Sequence, residues 1–93
     1  MRHLNRIAAE IATIWRTTPP SDAVKRYAGP YVVAMLDLYT CRDDYGLEGG
    51  DMIVCRALDN LAHWRGADAR RIKAELKEHL EKFNARDPSY QRQ

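Results

Sequence analysis

The stretch of sequence that decides the fold is residues 30–42, PYVVAMLDLYTCR. Between Tyr31 and Tyr39 the only charged side chain is that of Asp37. A helix that is apolar almost all round is typical of the central, buried helix of a bundle. The stretch therefore predicts a third helix at the centre of the fold. An alternative stays open, in which this helix gives one face to a second copy of the chain in a structural or adaptor homodimer.

Two helices are predicted on the N-terminal side of this stretch. In the first, apolar residues recur at steps of three and four, which places them on one helical face. These residues are Leu4, Ile7, Ala8, Ile11, Ile14 and Trp15. The prolines at 19–20 end this helix, because proline lacks an N–H and disfavours helical geometry in the residue before it. A short second helix, residues 21–28, is capped by Ser21 or Asp22, and the Gly-Pro pair at 29–30 separates it from the third.

Two further helices follow an elbow at residues 43–51, DDYGLEGGD, whose glycines and acids do not readily continue a helix. The fourth helix is predicted to be capped by Asp51 and to end at residues 65–66. The fifth is predicted to be capped by Asp68 and to stop at residues 87–88. The apolar face of the fourth helix is Ile53, Val54, Ala57, Leu58, Leu61 and Ala62. That of the fifth is Ala69, Ile72, Leu76, Leu80 and Phe83.

The expected fold class is all-α. We predict one domain, residues 1–88, built as a bundle of four long helices and one short helix, with a flexible tail at residues 89–93. A chain of 93 residues, with 45% hydrophobic and 30% charged residues, is typical of one soluble domain. Its net charge of +2 is too small to indicate a nucleic-acid or membrane partner. The longest uncharged run, residues 27–36, is too short to cross a membrane.

Residues that carry catalysis or metal binding form no recognisable pattern in the sequence. Cys41 and Cys55 match no zinc, redox or haem spacing, so both are expected to be free thiols in a cytosolic protein. His3, His63 and His79 lie far apart and are expected at surface or boundary positions. No nucleophile–base pair and no pair of carboxylates in contrasting environments is evident. We therefore expect no metal site, no cofactor and no enzymatic activity.

The acidic elbow is the first candidate binding site. Residues 37–51 hold five acids and one base, a net charge of −4. A calcium loop is excluded, because no register combines glycine at position six with glutamate at position twelve. Two interpretations remain: the acids stabilise the positive end of the fourth helix, or they bind a basic partner protein with Tyr45 as an aromatic anchor. The candidate residues are Asp43, Asp44, Tyr45, Glu48 and Asp51.

The second candidate site is residues 64–71, WRGADARR. Two helices joined by a short glycine turn are the arrangement of a helix-turn-helix DNA reader. With Gly66 in the turn, Ala62 is the small residue that lets the helices approach. The bases that would then contact DNA are Arg65, Arg70, Arg71 and Lys73. Glu75 falls where a buried residue is expected, which favours the simpler alternative of a helical hairpin with a solvated basic end.

The C-terminal half also resembles a recurring pattern in small, uncharacterised, all-helical accessory proteins of bacterial plasmids, integrative elements and phages. The residues that carry the resemblance are Asp44-Tyr45-Gly46, Asn60, Trp64-Arg65-Gly66 and residues 70–76. This resemblance implies a mobile-element context, in which small proteins such as anti-CRISPR proteins bind and block host defence complexes. It implies a location in the cytoplasm of a bacterium, including the host of a phage.

Three hypotheses follow for the function. The first is a non-enzymatic protein-binding accessory protein, an inhibitor of a defence complex that occupies a basic surface through the acidic elbow. The second is a DNA-binding regulator that uses the fifth helix. The third is the structural or adaptor homodimer.

Overall fold

The computed structural model describes residues 1–91, which form four helices and one two-stranded antiparallel sheet. The elements in chain order are α1 (Leu4–Thr17), α2 (Asp22–Met35), β1 (Asp44–Tyr45), β2 (Glu48–Gly49), α3 (Gly50–Asn60) and α4 (Ala67–Asn84). The prediction of a mostly helical fold is confirmed. The prediction of five helices without strands is wrong, because two predicted helices are one and the elbow contains a β-hairpin.

Helix α1 forms as its apolar spacing predicts. Its buried face consists of Leu4, Ile7, Ala8 and Ile11. The free N–H groups at the start of a helix need acceptors. Here the N–H groups of Leu4 and Asn5 donate to the carbonyl oxygens of Tyr39 and Leu38, both at 2.9 Å. The loop that follows α2 therefore closes the N-terminal end of α1.

Helix α2 runs through the Gly-Pro pair at which a break was predicted. Ser21 caps it as expected, with its Oγ accepting from the N–H of Val24 at 3.2 Å. The predicted break at Gly29 and Pro30 does not occur. One buried face continues across the pair, formed by Val24, Ala28, Val32 and Met35. Gly29 has no Cβ to clash with the proline ring, which reduces the steric cost of Pro30. The burial of this face outweighs the remaining cost, the hydrogen bond that proline cannot donate.

This helix also ends earlier than predicted and is less buried. It stops at Met35 rather than at Arg42, and the next three N–H groups bond back over only three residues, with Leu36 donating to Val33. Val33 remains 59% exposed. The prediction of a third helix buried all round is therefore wrong. The homodimer hypothesis, in which this exposed face is covered by a second copy, stays a prediction.

Replacing Pro30 by Ala is expected to raise the free energy of unfolding by about 1–2 kcal/mol. Pro30 is exposed inside α2, and Ala restores an N–H that can donate to the carbonyl of Arg26. Urea denaturation followed by far-ultraviolet circular dichroism measures the change. Pro19→Ala, in the linker before α2, is the control and is expected to be neutral or slightly destabilising. Equal effects at the two positions would contradict this reading of α2.

Helices α3 and α4 start slightly differently from the prediction. The residue before α3 is Gly49, and Asp51 lies inside the first turn instead of at the cap. Gly66, with φ of 113°, precedes α4, and Asp68 lies in its first turn. Both acids still lie at the positive ends of their helices, where a carboxylate is favoured. α3 packs against both α2 and α4.

The chain turns back onto the core after α4. The N–H of Arg86 donates to Phe83 O at 3.1 Å and that of Asp87 donates to Lys82 O at 3.2 Å, with Arg86 at φ of 54°. This is the Schellman pattern of helix ends. It directs Tyr90 into the core, where the side chain is 4% exposed. Tyr90 is therefore anchored to the core, and the flexible tail predicted for residues 89–93 stays a prediction. Residues 92 and 93 lie outside the described residues.

Candidate functional site

The acidic elbow is built as a tight hairpin that projects from the helices. Tyr45 pairs with Glu48, and Asp44 with Gly49. This leaves Gly46 and Leu47 as the two turn residues. Gly46 has φ of 63°, which suits the first position of a two-residue hairpin turn of type II′. Leu47, the second turn residue, is fully exposed.

The base of the hairpin is held by backbone hydrogen bonds. The Asp43 carboxylate accepts from the N–H of Tyr39 at 2.7 Å and from that of Thr40 at 3.1 Å. The Asp43 carbonyl accepts from the N–H of Gly50 at 2.7 Å. Asp43 therefore stabilises the turn that carries the hairpin, through its Oδ2 and its carbonyl oxygen.

The other predicted acids differ in how much they can offer a partner. Glu48 forms an ion pair with Arg56 at 2.9 Å. Asp51 is half-buried in the first turn of α3. Asp44 is exposed and forms no ion pair or side-chain hydrogen bond with another residue of the described chain. Of the five candidate residues, Asp44 and Tyr45 are therefore the ones that face solvent unengaged, and Tyr45 is 40% exposed.

Leu47 is the residue that the sequence analysis missed. Its signal was a lone apolar side chain after glycine inside an otherwise polar turn. The hairpin itself has strands of only two residues, which is too short for the alternation that identifies a strand. The acidic residues were therefore visible in the sequence, but the projecting apolar tip was not.

The predicted basic site is divided by the structure. Arg71 does not lie with the other bases but in an ionic network between α1 and α4. Its guanidinium donates to both carboxylate oxygens of Glu10, at 3.1 and 2.7 Å. The other members of this network are Arg2, Asp68 and Glu75. The hydrogen bonds from Arg71, which has the largest effect, and from Arg2 lower the pKa of Glu10 to about 2 despite the opposing effect of burial. Arg71 is consequently a poor candidate for contacting DNA.

Lys73 also has a structural role. Its Nζ donates to the carbonyl of Trp64 at 2.7 Å and to that of Leu61 at 3.1 Å, where the chain leaves α3. Burial lowers the pKa of Lys73, and the nearby charges of Lys77 and Arg65 lower it further. The bases that stay exposed on this side are Arg65, Arg70 and Lys77.

Other features of a helix-turn-helix are only partly present. Gly66 does occupy the turn between α3 and α4. Ala62, however, lies beyond the end of α3 and is exposed, so it does not mediate the approach of the helices. Glu75 is half-buried, as its position suggested, and is held by Arg2 at 2.6 and 2.9 Å.

The cysteines and histidines do not assemble a chemical site. Within residues 1–91 no group of three or more His, Cys, Asp or Glu side chains is arranged to hold a metal ion. Cys41 is buried and Cys55 half-buried, and both are free thiols. Burial raises the pKa of Cys41 to about 11, so it is a poor nucleophile. His79, expected near the surface, is instead buried, with 1% of its surface exposed.

No family model, curated protein or solved structure matches this chain. Within the described part of the chain, no helix is both long enough and apolar enough to cross a bilayer.

Proposed function

We propose that the protein is a non-enzymatic binding protein that inserts its hairpin tip into the surface of a partner protein. The observation that carries the proposal is the fully exposed Leu47 at the tip of a hairpin whose base is held by Asp43 and Gly50. A large apolar side chain in this position contributes nothing to the stability of the fold. It contributes to binding once a partner removes it from water.

The size of the contribution supports this role. Full burial of a leucine side chain is worth about 1.5–3 kcal/mol, and aromatic residues such as Tyr45 are frequent anchors of protein interfaces. The hydrogen bonds at the base of the hairpin order it in advance. Binding therefore has a smaller entropy cost than the folding of a mobile loop on the partner.

The charge around the tip indicates the chemistry of the partner. Residues 37–51 carry a net charge of −4; Arg56 pairs with Glu48 and Asp43 is directed to the hairpin base, whereas Asp44 stands unengaged beside Tyr45. Complementary charge speeds association and selects the partner. A basic protein surface with an apolar pocket fits this tip. A nucleic-acid-binding groove is such a surface, and the resemblance to mobile-element proteins implies a bacterial defence complex as the partner that carries it.

A second candidate function is binding of DNA through the basic face of α4. The observation in its favour is the mutual proximity of Arg65, Lys73 and Lys77: burial lowers the pKa of Lys73 most, and the charges of Lys77 and Arg65 lower it further. The diversion of Arg71 into the ionic network and of Lys73 to backbone carbonyls reduces the number of cations available for phosphates. We therefore place this candidate second.

Capture of partners from a nuclease-treated bacterial lysate tests the first function against the second. Leu47→Asp is expected to weaken retention of a specific partner about 10- to 100-fold, because the charge replaces the apolar contact at the tip. Leu47 packs against nothing, so the melting temperature of this variant is expected to stay within about 2 °C of the wild type.

The matched control removes the exposed bases in the triple variant Arg65→Ala, Arg70→Ala and Lys77→Ala. Protein capture by this variant is expected to match that of the wild type. If Leu47→Asp left capture unchanged, the hairpin would not be the binding site. Capture that disappears with nuclease, together with salt-dependent DNA binding lost in the triple variant, would favour the second function instead.

A further inference from the structure

A chain of buried and part-buried hydrogen bonds joins the C-terminal part of the described chain to the turn that carries the hairpin. The N–H of Cys41 donates to Tyr90 Oη at 2.8 Å. Tyr90 Oη lies 2.6 Å from His79 Nδ1, and His79 Nε2 lies 2.8 Å from the carbonyl oxygen of Arg2. The three bonds connect α4 and the segment after it to two distant parts of the sequence.

The geometry determines the tautomer of His79. A carbonyl oxygen only accepts hydrogen bonds, so the ring hydrogen must be on Nε2. In the neutral ring, Nδ1 is then an acceptor and receives the hydroxyl hydrogen of Tyr90. Every donor and acceptor in the chain from Cys41 to Arg2 is satisfied in this arrangement.

Protonation of His79 disrupts this arrangement. The added hydrogen would lie on Nδ1 and point at Tyr90 Oη, which already accepts from Cys41. The hydroxyl hydrogen of Tyr90 would then have to exchange its nitrogen acceptor for the neighbouring Cys41 sulfur, which accepts only weakly, and this is costly for a buried polar group. Burial also lowers the pKa of His79 below its ordinary value.

Charged groups around the pair act in both directions. Glu78 and Glu75 on α4 favour the protonated ring, and His3 before α1 disfavours it. Beyond Tyr90, the Arg42 guanidinium lies 5.9 Å from the ring centroid. A cleft of about 350 Å³ runs along the pair and is lined in part by His3, Lys82 and Ser89.

The segment from Asp87 to Tyr90, called the strap below, braces the base of the hairpin. Besides the Tyr90 bond to Cys41, the Arg42 side chain donates to the carbonyl of Asp87 at 3.1 Å. Cys41 and Arg42 belong to the same turn as Asp43, whose carboxylate and carbonyl hold the hairpin. Loss of the strap therefore removes support from the turn but leaves the helices packed.

We propose that the strap is a pH-sensitive brace: neutral His79 holds Tyr90 on the turn, and protonation of His79 releases Tyr90 and loosens the hairpin base. The binding consequence, weaker engagement of the tip at acidic pH, rests on the proposed function. The direction of this pH dependence follows from the hydrogen bonds that only the neutral ring satisfies, and the lowered pKa of His79 agrees with it. The stabilisation is fully present above the ordinary histidine pKa of about 6.5 and is lost as the pH falls below it.

Amide hydrogen exchange on the full chain between pH 8 and pH 5, followed by NMR, tests the brace without any partner. After correction for intrinsic exchange, protection of the Cys41 and Gly50 amides is expected to fall up to about tenfold per pH unit below 6.5. Protection of Ile11 and Leu76 in the helices is expected to fall much less. At pH 7.5 the imidazole nitrogen shifts of His79 are expected to report hydrogen on Nε2.

Two variants isolate the mechanism. His79→Gln can offer a donor and an acceptor without titrating, so its protection profile is expected to be flat across this range. Tyr90→Phe keeps the ring but removes the hydroxyl, so the Cys41 amide is expected to exchange rapidly at every pH while the helices stay protected. Tyr90→Phe tests the brace even if His79→Gln does not fold.

Three outcomes would overturn the brace. They are an unchanged Cys41 amide in Tyr90→Phe, a wild-type profile with no dependence on pH, and an equal loss of protection throughout α1 and α4. None of these involves a partner. If Leu47→Asp left capture unchanged, the proposed function would be refuted and the brace would stand. If one of the three outcomes above occurred while Leu47→Asp still weakened capture, the brace would be refuted and the proposed function would stand.

Discussion

Replacing Gly50 by Ala is expected to lower the free energy of unfolding by about 2–4 kcal/mol. Gly50 begins α3 directly under the turn that carries the hairpin. A Cβ there would lie 2.8 Å from the carbonyl oxygen of Asp43 and 2.9 Å from that of Thr40. Both are backbone atoms, so relief requires the turn itself to move and weakens its bonds to the Asp43 carboxylate.

The neighbouring glycine provides a matched control. A Cβ on Gly49 would meet only the Asp51 side chain, at 2.6 Å from one carboxylate oxygen, and that side chain can rotate away. Gly49→Ala is therefore expected to cost less than about 1 kcal/mol. Thermal denaturation is expected to show a drop of roughly 10–20 °C for Gly50→Ala and a few degrees for Gly49→Ala. Similar melting temperatures for the two variants would show that the close approach at Gly50 is unimportant.

Replacing Trp64 by Ala is expected to cost about 3–4 kcal/mol. Trp64 is 6% exposed in the connection between α3 and α4, and its ring packs edge-on against that of Trp15 at a centroid distance of 5.7 Å. Truncation leaves a cavity and removes an aromatic pair, both of which are costly. Because Trp15 lies on α1, the loss also loosens the contact between α1 and the α3–α4 connection.

Two further variants serve as comparisons for the loss of unfolding free energy in Trp64→Ala. Trp64→Phe keeps an aromatic ring and is expected to cost about 1–2 kcal/mol. Arg65→Ala, at the next residue, changes an exposed side chain and is expected to stay within about 0.5 kcal/mol of the wild type. Urea denaturation followed by circular dichroism compares all three without relying on tryptophan fluorescence. A loss below about 1 kcal/mol for Trp64→Ala would mean that the side chain is not part of the core.

The residues of the acidic elbow have different roles in forming the proposed binding tip. Asp43 and Gly50 hold the base, Glu48 is paired with Arg56, and Leu47 projects without a contact. The sequence predicted that this segment carries an excess of negative charge. It did not distinguish the acid that stabilises the turn from the acid that faces solvent, because that difference depends on the direction of each side chain in the folded hairpin.

Local patterns in the sequence determined most of the helical structure. The spacing of Leu4, Ile7 and Ile11 predicts the buried face of α1, and that of Ile72 and Leu76 predicts the face of α4. Ser21 marks the start of α2 with the hydrogen bond expected of a cap. These predictions hold because their signals act over three or four residues, within one turn of helix.

Tertiary structure decided three features that no local pattern in the sequence predicts, namely the course of α2, the hairpin and the burial of Tyr90. The continuation of α2 through Pro30 follows from burial of one face against α3, which outweighs a local cost that the sequence does show. The hairpin depends on the fit of Gly50 under the turn. The burial of Tyr90 depends on partners at Cys41 and His79, 49 and 11 residues away. Such contacts form only when separate elements pack together, so no local spacing in the sequence records them.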